Sequence, residues 1–317
     1  MTCPVCLSVN TSASVLSARD RFFEATTRTF SLRACVGCHC LFIDPLPHEK
    51  DLATFYPQHY WSNAVPGVLK SCERVYRRLI LRDHVASITR AASAVIAENE
   101  RPLRLLDVGC GSGMLLGLLK QRGFEVLGFD SSESAKEIAS TQSKVKVVTG
   151  EHVSAAGFAT GAFDLVTLFH VIEHTPEPRT ILAEVRRILQ PNGRILVQVP
   201  NIESWQARLC GSRWYGLDVP RHVINYSARS IERLMLDCGF RVRRTRHFNL
   251  RDNAAAFASS LCPGLDPASR RIRQESSLVA WAKHLAYVGV VIAGYPLILA
   301  ESLCGAGGTV MLEAEKV

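Results

Sequence analysis

The sequence predicts an α/β fold built on a parallel β-sheet with helices on both faces. From residue 103 onward, short apolar runs alternate with segments of helical character, and this alternation is typical of parallel strands joined by crossover helices. The first run also meets three glycines in five residues within "LLDVGCGSGMLLGLL". In such a sheet a small ligand binds beyond the carboxyl ends of the strands, where this glycine bend lies.

Seven apolar runs are predicted to be strands, and they cover residues 103–108, 124–129, 145–148, 163–169, 194–199, 240–248 and 309–316. Helices are predicted over residues 113–122, 132–142, 178–189 and 228–238. Residues 66–98 hold no glycine or proline after Gly67 and are predicted to form one or two helices with an arginine cluster, namely Arg74, Arg77, Arg78 and Arg82. The tripeptide "PNG" at 191–193 predicts a tight turn before the fifth strand.

Composition sets broad limits. The chain has 317 residues, a net charge of +8 and eleven cysteines. The positive charge is compatible with nucleic acid, anionic lipid or phosphorylated substrates, and equally with simple solubility. No basic-then-apolar leader follows Met1, so the cysteines are expected to be reduced thiols in the cytoplasm.

The N-terminal cysteines have the spacing of a metal site. The stretches "CPVC" and "CVGCHC" place Cys3, Cys6, Cys35 and Cys38 as two C-x2-C pairs, which can converge on one tetrahedral zinc ion. Four thiolates leave no open coordination position, so a structural zinc is expected. A β-hairpin over residues 21–35 is expected to separate the pairs, and Cys40 is either spare or a competitor for Cys38. Five reduced cysteines without a metal remain the alternative.

Three ligands compete for the glycine bend at Gly109, Gly111 and Gly113. A nucleoside triphosphate loop needs a lysine that is missing here, and a dinucleotide motif has its third glycine one residue later. A carboxylate at Asp107 also disfavours a pyrophosphate. S-adenosylmethionine carries an ammonium group and no phosphate, so an acidic neighbour suits it.

Asp130 supports a nucleoside ligand. It ends the second predicted strand about 20 residues beyond the glycines, where a carboxylate can accept hydrogen bonds from ribose hydroxyls. Alternatively, Asp130 caps the next helix together with Ser131 and Ser132.

Over residues 103–249 the chain resembles the class I S-adenosylmethionine-dependent methyltransferases, in the branch that contains the ubiquinone-pathway O-methyltransferases. "LLDVGCGSG", "GFD" and "GEHV" resemble the first three motifs of the family, and "FDLVTLFHVIEHTPEP" with "VRRILQPNGRILVQVPN" resembles the fourth and fifth. The resemblance implies a Rossmann-like, seven-stranded sheet whose last strand is antiparallel, and methyl transfer by in-line displacement. The expected cofactor-binding residues are Asp107, Gly109, Cys110, Gly111, Gly113, Asp130, Ser131, Glu151, Phe169 and His170.

Two clusters offer a general base for methyl transfer. In "HVIEHT", His170, Glu173 and His174 could perform acid–base chemistry or bind a divalent metal, whereas the alternative is helix capping or cofactor orientation. This string is common to family members with differing substrates, which favours the cofactor-side role. In "DVPRHVINYS", His222 resembles a base of the family, whereas the alternative is a structural histidine. Arg221 and Tyr226 are expected to contact substrate. Of these candidates, His222, Glu173 and His174 are the predicted catalytic residues.

The segment "CLFIDPLPHEKDLATFYPQHYW" resembles a linker in zinc-bearing small-molecule methyltransferases, including those that act on sugar nucleotides. The resemblance implies that Tyr56, Tyr60 and Trp61 form a lid or contact substrate. Aromatic packing between two domains is the alternative.

The run "LAYVGVVIAGYPLILA" at residues 285–300 contains sixteen residues without a charge. It is shorter than the ~20 residues of a membrane span, and Pro296 is expected to interrupt it. If the strands at 240–248 and 309–316 pair, a single span between them is excluded. We expect an apolar helix or helical hairpin that serves as a substrate lid, a dimer interface or a peripheral membrane contact through residues 278–303.

These patterns divide the chain into a zinc-ribbon-like module, an aromatic linker and helical lid, a cofactor-binding domain, an apolar insertion and a last strand. The boundaries are 1–47, 48–101, 102–249, 250–307 and 308–317. The predicted function is S-adenosylmethionine-dependent methylation, at oxygen, nitrogen or carbon, of a small metabolite or a glycan- or lipid-linked intermediate. The alternatives are an RNA methyltransferase that grips RNA through the zinc ribbon, and a non-catalytic S-adenosylmethionine-binding protein. An RNA-binding protein would need a basic face with interleaved aromatic residues, and the sequence does not clearly show one.

Overall fold

The computed structural model describes residues 2–56, 78–95, 101–272 and 278–317. Near the N-terminus, strands β1 (Thr11–Arg19), β2 (Thr29–Cys35) and β3 (Leu41–Asp44) form an antiparallel meander. The hairpin therefore pairs residues 11–19 with 29–35, and the prediction of a hairpin within residues 21–35 is corrected. The first strand starts before that segment because residues 20–28 form the connection.

The larger sheet has the predicted seven strands. Its members are β4 (Arg104–Val108), β5 (Glu125–Asp130), β6 (Val147–Thr149), β7 (Phe163–Phe169), β8 (Leu189–Pro200), β10 (Phe240–Arg246) and β11 (Thr309–Lys316). Their order is β10-β11-β8-β7-β4-β5-β6. Strands β4 to β8 are parallel, and β11 is antiparallel to both of its neighbours. This confirms the mostly parallel sheet and the antiparallel last strand.

The strand order explains where a ligand can bind. The chain runs from β4 outward through β5 and β6, and then returns to place β7 on the other side of β4. At such a reversal the connections leave in opposite directions, and a crevice opens at the carboxyl ends of the strands. β8 begins five residues earlier than predicted, at Leu189, because the "PNG" segment stays within the strand.

The described helices are α1 (Glu49–Leu52), α2 (Arg82–Ser93), α3 (Met114–Lys120), α4 (Glu133–Ile138), α5 (Pro178–Ile188), α6 (Trp205–Cys210), α7 (Ala228–Asp237), α8 (Asn253–Leu261), α9 (Pro267–Ile272) and α10 (Leu278–Leu303). Within residues 66–98, where helices were predicted, residues 78–80 and α2 are helical. Residues 57–77 lie outside the described residues, and Arg74 and Arg77 are among them.

Alternating strand residues build two cores, one on each face of the large sheet. Leu105, Leu165 and Leu196 pack on the side of α2 and α3. Their chain neighbours Leu106, Val166 and Val197 face the opposite side, towards α5, α7 and the N-terminal sheet. Each fully buried aliphatic side chain contributes roughly 1.5–3 kcal/mol, so these two layers hold the sheet rigidly beneath the crevice.

The N-terminal sheet continues into the rest of the chain. A two-residue strand, β9 (Ile224–Asn225), pairs with β3, with Phe42 opposite Ile224. The buried residues of the N-terminal sheet also belong to the same apolar core as α5 and α7. The predicted boundary at residue 47 therefore does not separate two packing units, although the division of the chain by function remains a prediction.

The apolar insertion contains one long helix. α10 spans 26 residues and passes through Pro296 without a break, so the prediction that Pro296 interrupts the helix is wrong. A proline removes one backbone N–H donor, and packing against α8 through Phe257 and Ile298 supports the helix nearby. By length and composition alone, Val279–Leu303 could cross a membrane. The pairing of β10 with β11 argues against that, as predicted.

Candidate functional site

The glycine bend lies at the crevice, between the end of β4 and the start of α3. Gly109, Gly111 and Gly113 all have positive φ, at 72°, 52° and 66°. A Cβ atom at Gly109 would lie 2.6 Å from a methyl group of Val171, and one at Gly113 would lie 2.6 Å from a methyl group of Val145. Both the backbone conformation and the close packing therefore require glycine. The bend leaves the N-terminal N–H groups of α3 facing the crevice edge.

Two buried carboxylates flank this bend. Asp107 is 5% exposed and accepts a hydrogen bond from the Thr167 hydroxyl at 2.6 Å, and burial raises its pKa to about 7. Asp130 accepts hydrogen bonds from the backbone N–H groups of Gly111 (2.9 Å) and Ser132 (3.0 Å), and burial also raises its pKa. Asp107 forms no ion pair among the described residues, so a cationic, hydroxyl-bearing ligand would suit the pair and a pyrophosphate would not.

The other predicted cofactor residues occupy the same edge of the sheet. Ser131 and Glu151 are exposed just beyond β5 and β6. Phe169 ends β7, and its ring meets the His84 ring edge-on at 4.7 Å. Cys110 lies in the bend, where its sulfur fills the space above Gly128. The structure thus brings all ten residues to the carboxyl ends of β4 to β7, and their contacts with a cofactor remain predictions.

His170 follows β7 in a strained conformation, with φ of 58°. Its Nδ1 lies 3.0 Å from Glu173 Oε1, and its Nε2 lies 3.2 Å from Asp252 Oδ2. Burial alone would lower the pKa of His170, but the carboxylates of Asp252 and Glu173 raise it to about 9. The two carboxylates therefore favour the protonated form of the His170 ring, which makes it a poor proton acceptor.

A polar network beyond His170 was missed by the sequence analysis. The Gln198 amide donates to Asp252 Oδ2 at 2.7 Å, and the Asn249 amide donates to Gln198 Oε1 at 2.8 Å. Asn249 Nδ2 also lies 3.2 Å from His84 Nε2. One signal was available, because "NLRDN" follows the sixth predicted strand and so lies at the same edge as the glycine bend. His84 had no comparable signal.

Glu173, His174 and His222 converge beside the crevice. Glu173 is buried, and its Oε2 has no hydrogen-bond partner among the described residues. The His174 and His222 rings meet edge-on at 4.7 Å. One ligand atom from each of the three residues lies within 4.8 Å of the others, so the set could hold a divalent cation. The sequence placed these residues in two separate clusters, which the fold joins.

The two histidines have different partners. The Nδ1 atom of His222 lies 2.8 Å from the Gly216 carbonyl oxygen. A carbonyl can only accept, so Nδ1 carries the proton and Nε2 keeps a lone pair in the neutral ring. The Nδ1 atom of His174 lies 2.9 Å from the Tyr56 hydroxyl and 3.1 Å from the Arg221 carbonyl oxygen. Burial and the neighbouring His222 lower the pKa of His174 to about 4, so its ring is neutral at pH 7.

The substrate contact expected for Arg221 is corrected. Its side chain is fully buried, and its N–H groups donate to Asp20, Asp218 and the Phe55 carbonyl oxygen. All five guanidinium N–H donors are used within the protein. Arg221 therefore ties the N-terminal sheet to the segment before β9.

Tyr226 is also an interior residue. It is fully buried, and its hydroxyl donates to the Ile172 carbonyl oxygen at 3.3 Å, so its predicted substrate contact is corrected as well. Tyr56 lies beside His174, where a lid residue could reach the crevice. Tyr60 and Trp61 lie outside the described residues.

The N-terminal cysteines form a compact cluster. Cys3 and Cys38 have their sulfur atoms 3.7 Å apart, and those of Cys6 and Cys35 are 3.4 Å apart. All four sulfur atoms lie within 4.8 Å of one another. Zinc–sulfur bonds of ~2.3 Å at tetrahedral angles place ligand sulfurs about 3.8 Å apart, so the set fits one zinc ion. Cys40 lies 3.5 Å from both Cys3 and Cys38 and is a fifth thiol at the edge of the site.

Comparison with known proteins agrees with the fold and the glycine bend. The family model described as "Methyltransferase domain" matches residues 74–245, which is more than half of the chain. The chain therefore belongs to the methyltransferase domain family. This confirms the resemblance to class I S-adenosylmethionine-dependent methyltransferases drawn from the motifs.

Curated relatives match over part of their length. A ubiquinone biosynthesis O-methyltransferase of Thiobacillus denitrificans is 32% identical over 131 residues, which are 39% of this chain and 56% of the relative. The protein of the same name from Pectobacterium atrosepticum is 28% identical over 160 residues, covering 46% of this chain and 66% of the relative. The chain thus spans less than two thirds of the length of either relative.

Solved structures of methyltransferases also resemble the chain. Magnesium protoporphyrin IX methyltransferase from Synechocystis has a TM-score of 0.48 at 15% identity, covering 82% of this chain and 92% of that protein. A SAM-dependent methyltransferase from Archaeoglobus fulgidus has a TM-score of 0.46 at 19% identity, covering 73% and 92%.

Proposed function

We propose that this protein transfers a methyl group from S-adenosylmethionine to a hydroxyl group of a small-molecule acceptor. The observation that carries the proposal is the glycine bend with two buried carboxylates, next to the cluster of Glu173, His174 and His222. S-adenosylmethionine supplies an electrophilic methyl group when it is bound. Asp107 would hold its ammonium group and Asp130 its ribose hydroxyls, as the chemistry of these carboxylates suggests.

The acceptor side of the proposal rests on His222. Its Nδ1–H is directed at the Gly216 carbonyl oxygen, which leaves the Nε2 lone pair for a proton from the acceptor. The carboxylates of Asp252 and Glu173 raise the pKa of His170, so its ring is a poor candidate for the base. Glu173 and His174 would orient the acceptor or stabilise the protonated His222 ring. The names of the curated relatives support a small molecule with a hydroxyl group and give no support to RNA or to a non-catalytic role.

We expect the Asp130→Asn variant to bind S-adenosylmethionine about 10- to 100-fold more weakly, because a neutral amide makes a weaker bond to the ribose. Asparagine keeps one oxygen for the Gly111 N–H, so the bend should survive. Calorimetric titration with S-adenosylmethionine and with NAD measures the effect, and Asp51→Asn on the exposed surface is the matched control. Tight binding of NAD, or an unchanged affinity of Asp130→Asn for S-adenosylmethionine, would contradict the proposed site.

We also propose that the N-terminal cysteines hold a structural zinc ion. The sulfur atoms of Cys3, Cys6, Cys35 and Cys38 have suitable separations, and all four positions of the ion would be filled. The zinc would fix the loops that flank β1 and β2, close to β3, which pairs with β9.

Substitution of Cys6 by serine is expected to remove the metal and to lower the midpoint of thermal unfolding, since structural zinc contributes directly to folding. Elemental analysis should find about one zinc ion per chain in the unmodified protein and far less in the variant. Cys304→Ser, which alters an exposed cysteine, should change neither quantity. A metal-free unmodified protein that unfolds at the same temperature with and without added zinc would refute the zinc site.

A further inference from the structure

The long helix α10 exposes an unusually apolar face. It packs on α8 through Phe257 and Ile298, and only 22% of its most apolar stretch is buried. Its exposed large side chains are Val279, Trp281, Leu285, Val288, Ile292, Leu299 and Leu303. At 1.5 Å per residue the helix is roughly 39 Å long, so this face is far more extensive than the scattered apolar residues of an ordinary surface.

Helices that pack next to α10 expose apolar side chains as well. α8 packs on α10, and α6 packs on α8. Leu261, at the end of α8, is 49% exposed, and Leu209 on α6 is 65% exposed. Trp205 on α6 is also exposed at 36%. Tryptophan is the side chain most suited to the boundary between hydrocarbon and water.

The charges around this face are biased towards one sign. Arg208 on α6 and Arg213 just after it are exposed. Among the described residues from α8 to the end of α10, the carboxylates are those of Asp266 and Glu301, and both are buried: Asp266 accepts hydrogen bonds from Ser259 and Ser269, and Glu301 accepts them from Gln206 and Gly308. The partly exposed Glu203, before α6, lies 3.2 Å from the His39 ring. An apolar face next to exposed arginines complements an anionic lipid surface. Two copies meeting through this face would bring like charges together.

The C-terminal end of α10 is anchored to the large sheet. After Leu303 the chain turns through Gly305 to Gly308 and enters β11, which lies between β8 and β10. The turn is tight, because a Cβ atom at Gly307 would lie 1.8 Å from the His247 carbonyl oxygen. This anchor at one end favours contact with lipid along the length of α10 over a span of the bilayer.

We propose that α10, with Leu261, Trp205 and Leu209, docks in the plane of an anionic lipid bilayer. The apolar side chains enter the boundary of the acyl region, and Arg208 and Arg213 contact lipid phosphates. α8 begins at Asn253, directly after Asp252, which lies 3.2 Å from His170 beside the crevice. Resting on the proposed methyl transfer, this placement identifies the acceptor as a lipid-soluble molecule taken from the bilayer.

Vesicle flotation tests the docking without any acceptor or cofactor. The unmodified protein should float with vesicles that contain 30% phosphatidylglycerol in phosphatidylcholine, and bind much less to pure phosphatidylcholine or in high salt. The double variant Leu285→Asp/Ile292→Asp should bind at least 100-fold more weakly, because each substitution puts a charge where an exposed apolar side chain would enter the acyl boundary. Arg208→Gln should weaken binding to anionic vesicles by about fivefold and leave binding to pure phosphatidylcholine unchanged.

Leu236→Asp is the matched control, because Leu236 is 57% exposed on α7, away from this face, and it should bind like the unmodified protein. Circular dichroism and thermal unfolding show that each variant is folded. Failure to bind anionic vesicles, or equal binding by the double variant, would overturn the docking. The docking would also be overturned if light scattering shows a dimer, the double variant is a monomer, and the unmodified protein does not bind vesicles. The apolar face would then bind a second copy of the chain. Titration of the same samples with S-adenosylmethionine tests the proposed function independently of vesicle binding.

Discussion

Replacement of Arg221 by methionine is expected to lower the free energy of unfolding by about 3–5 kcal/mol. Methionine fills much of the same volume but leaves the carboxylates of Asp20 and Asp218 near each other without a cation. The cost arises from uncompensated buried charge, because Asp20 is fully enclosed. It does not arise from loss of a surface ion pair, which would be worth much less. Urea unfolding followed by tryptophan fluorescence measures the difference.

Two further variants separate this explanation from a simple packing defect. Arg229→Met changes an exposed arginine a few residues away and should alter the free energy of unfolding by less than about 0.5 kcal/mol. Adding Asp20→Asn to Arg221→Met should recover part of the lost stability, because it removes one of the unpaired charges. A loss below about 1 kcal/mol in Arg221→Met would show that water reaches the pair and that the ion pairs do not anchor the N-terminal sheet.

The variant His222→Ala is expected to lower kcat by about 100- to 10,000-fold, which is the usual contribution of a general base. The affinity for S-adenosylmethionine should change by less than about twofold, because the glycine bend and Asp130 do not contact this ring. Calorimetry measures the affinity, and single-turnover methyl transfer measures the rate once an acceptor has been found. His48→Ala, on the exposed surface, is the control.

Three outcomes have clear meanings. Normal turnover by His222→Ala would exclude His222 as the base and leave Glu173 as the next candidate, since its Oε2 has no hydrogen-bond partner in the described part of the chain. Loss of cofactor affinity together with turnover would assign a structural role to His222. Recovery of the rate at high pH would support the base, because the acceptor hydroxyl then loses its proton to the solvent.

The sequence predicted the large sheet well because its signals are local. Each parallel strand is a short apolar run, and each connection has a glycine, proline or helical period that marks its limits. The glycine bend was equally readable, since positive φ values and close packing at Gly109 and Gly113 leave one residue type. Where the local backbone conformation permits a single residue type, the role of that residue can be predicted from one sequence.

Arg221 and His170 were harder because their partners are remote. Arg221 follows a strand in the region where the fold binds substrate, and nothing in the sequence reveals that Asp20, 201 positions away, neutralises it. His170 was expected to bind the cofactor, and its spacing in the sequence does not reveal that Asp252, 82 positions away, lies against its ring. Such pairings depend on which strands become neighbours, and this information lies in the topology and not in local spacing.

The pairing of β3 with β9 has a consequence for how the chain is made. While the ribosome has delivered only the first fifty residues, the cysteine-rich meander has an open edge and the carboxylate of Asp20 has no counter-ion. Both are completed only after Arg221 and Ile224 have emerged, so the earliest segment to be synthesised is among the last to be finished. A fragment that ends before residue 225 should therefore depend on chaperones, and the meander should not be transferable to another protein as an independent unit.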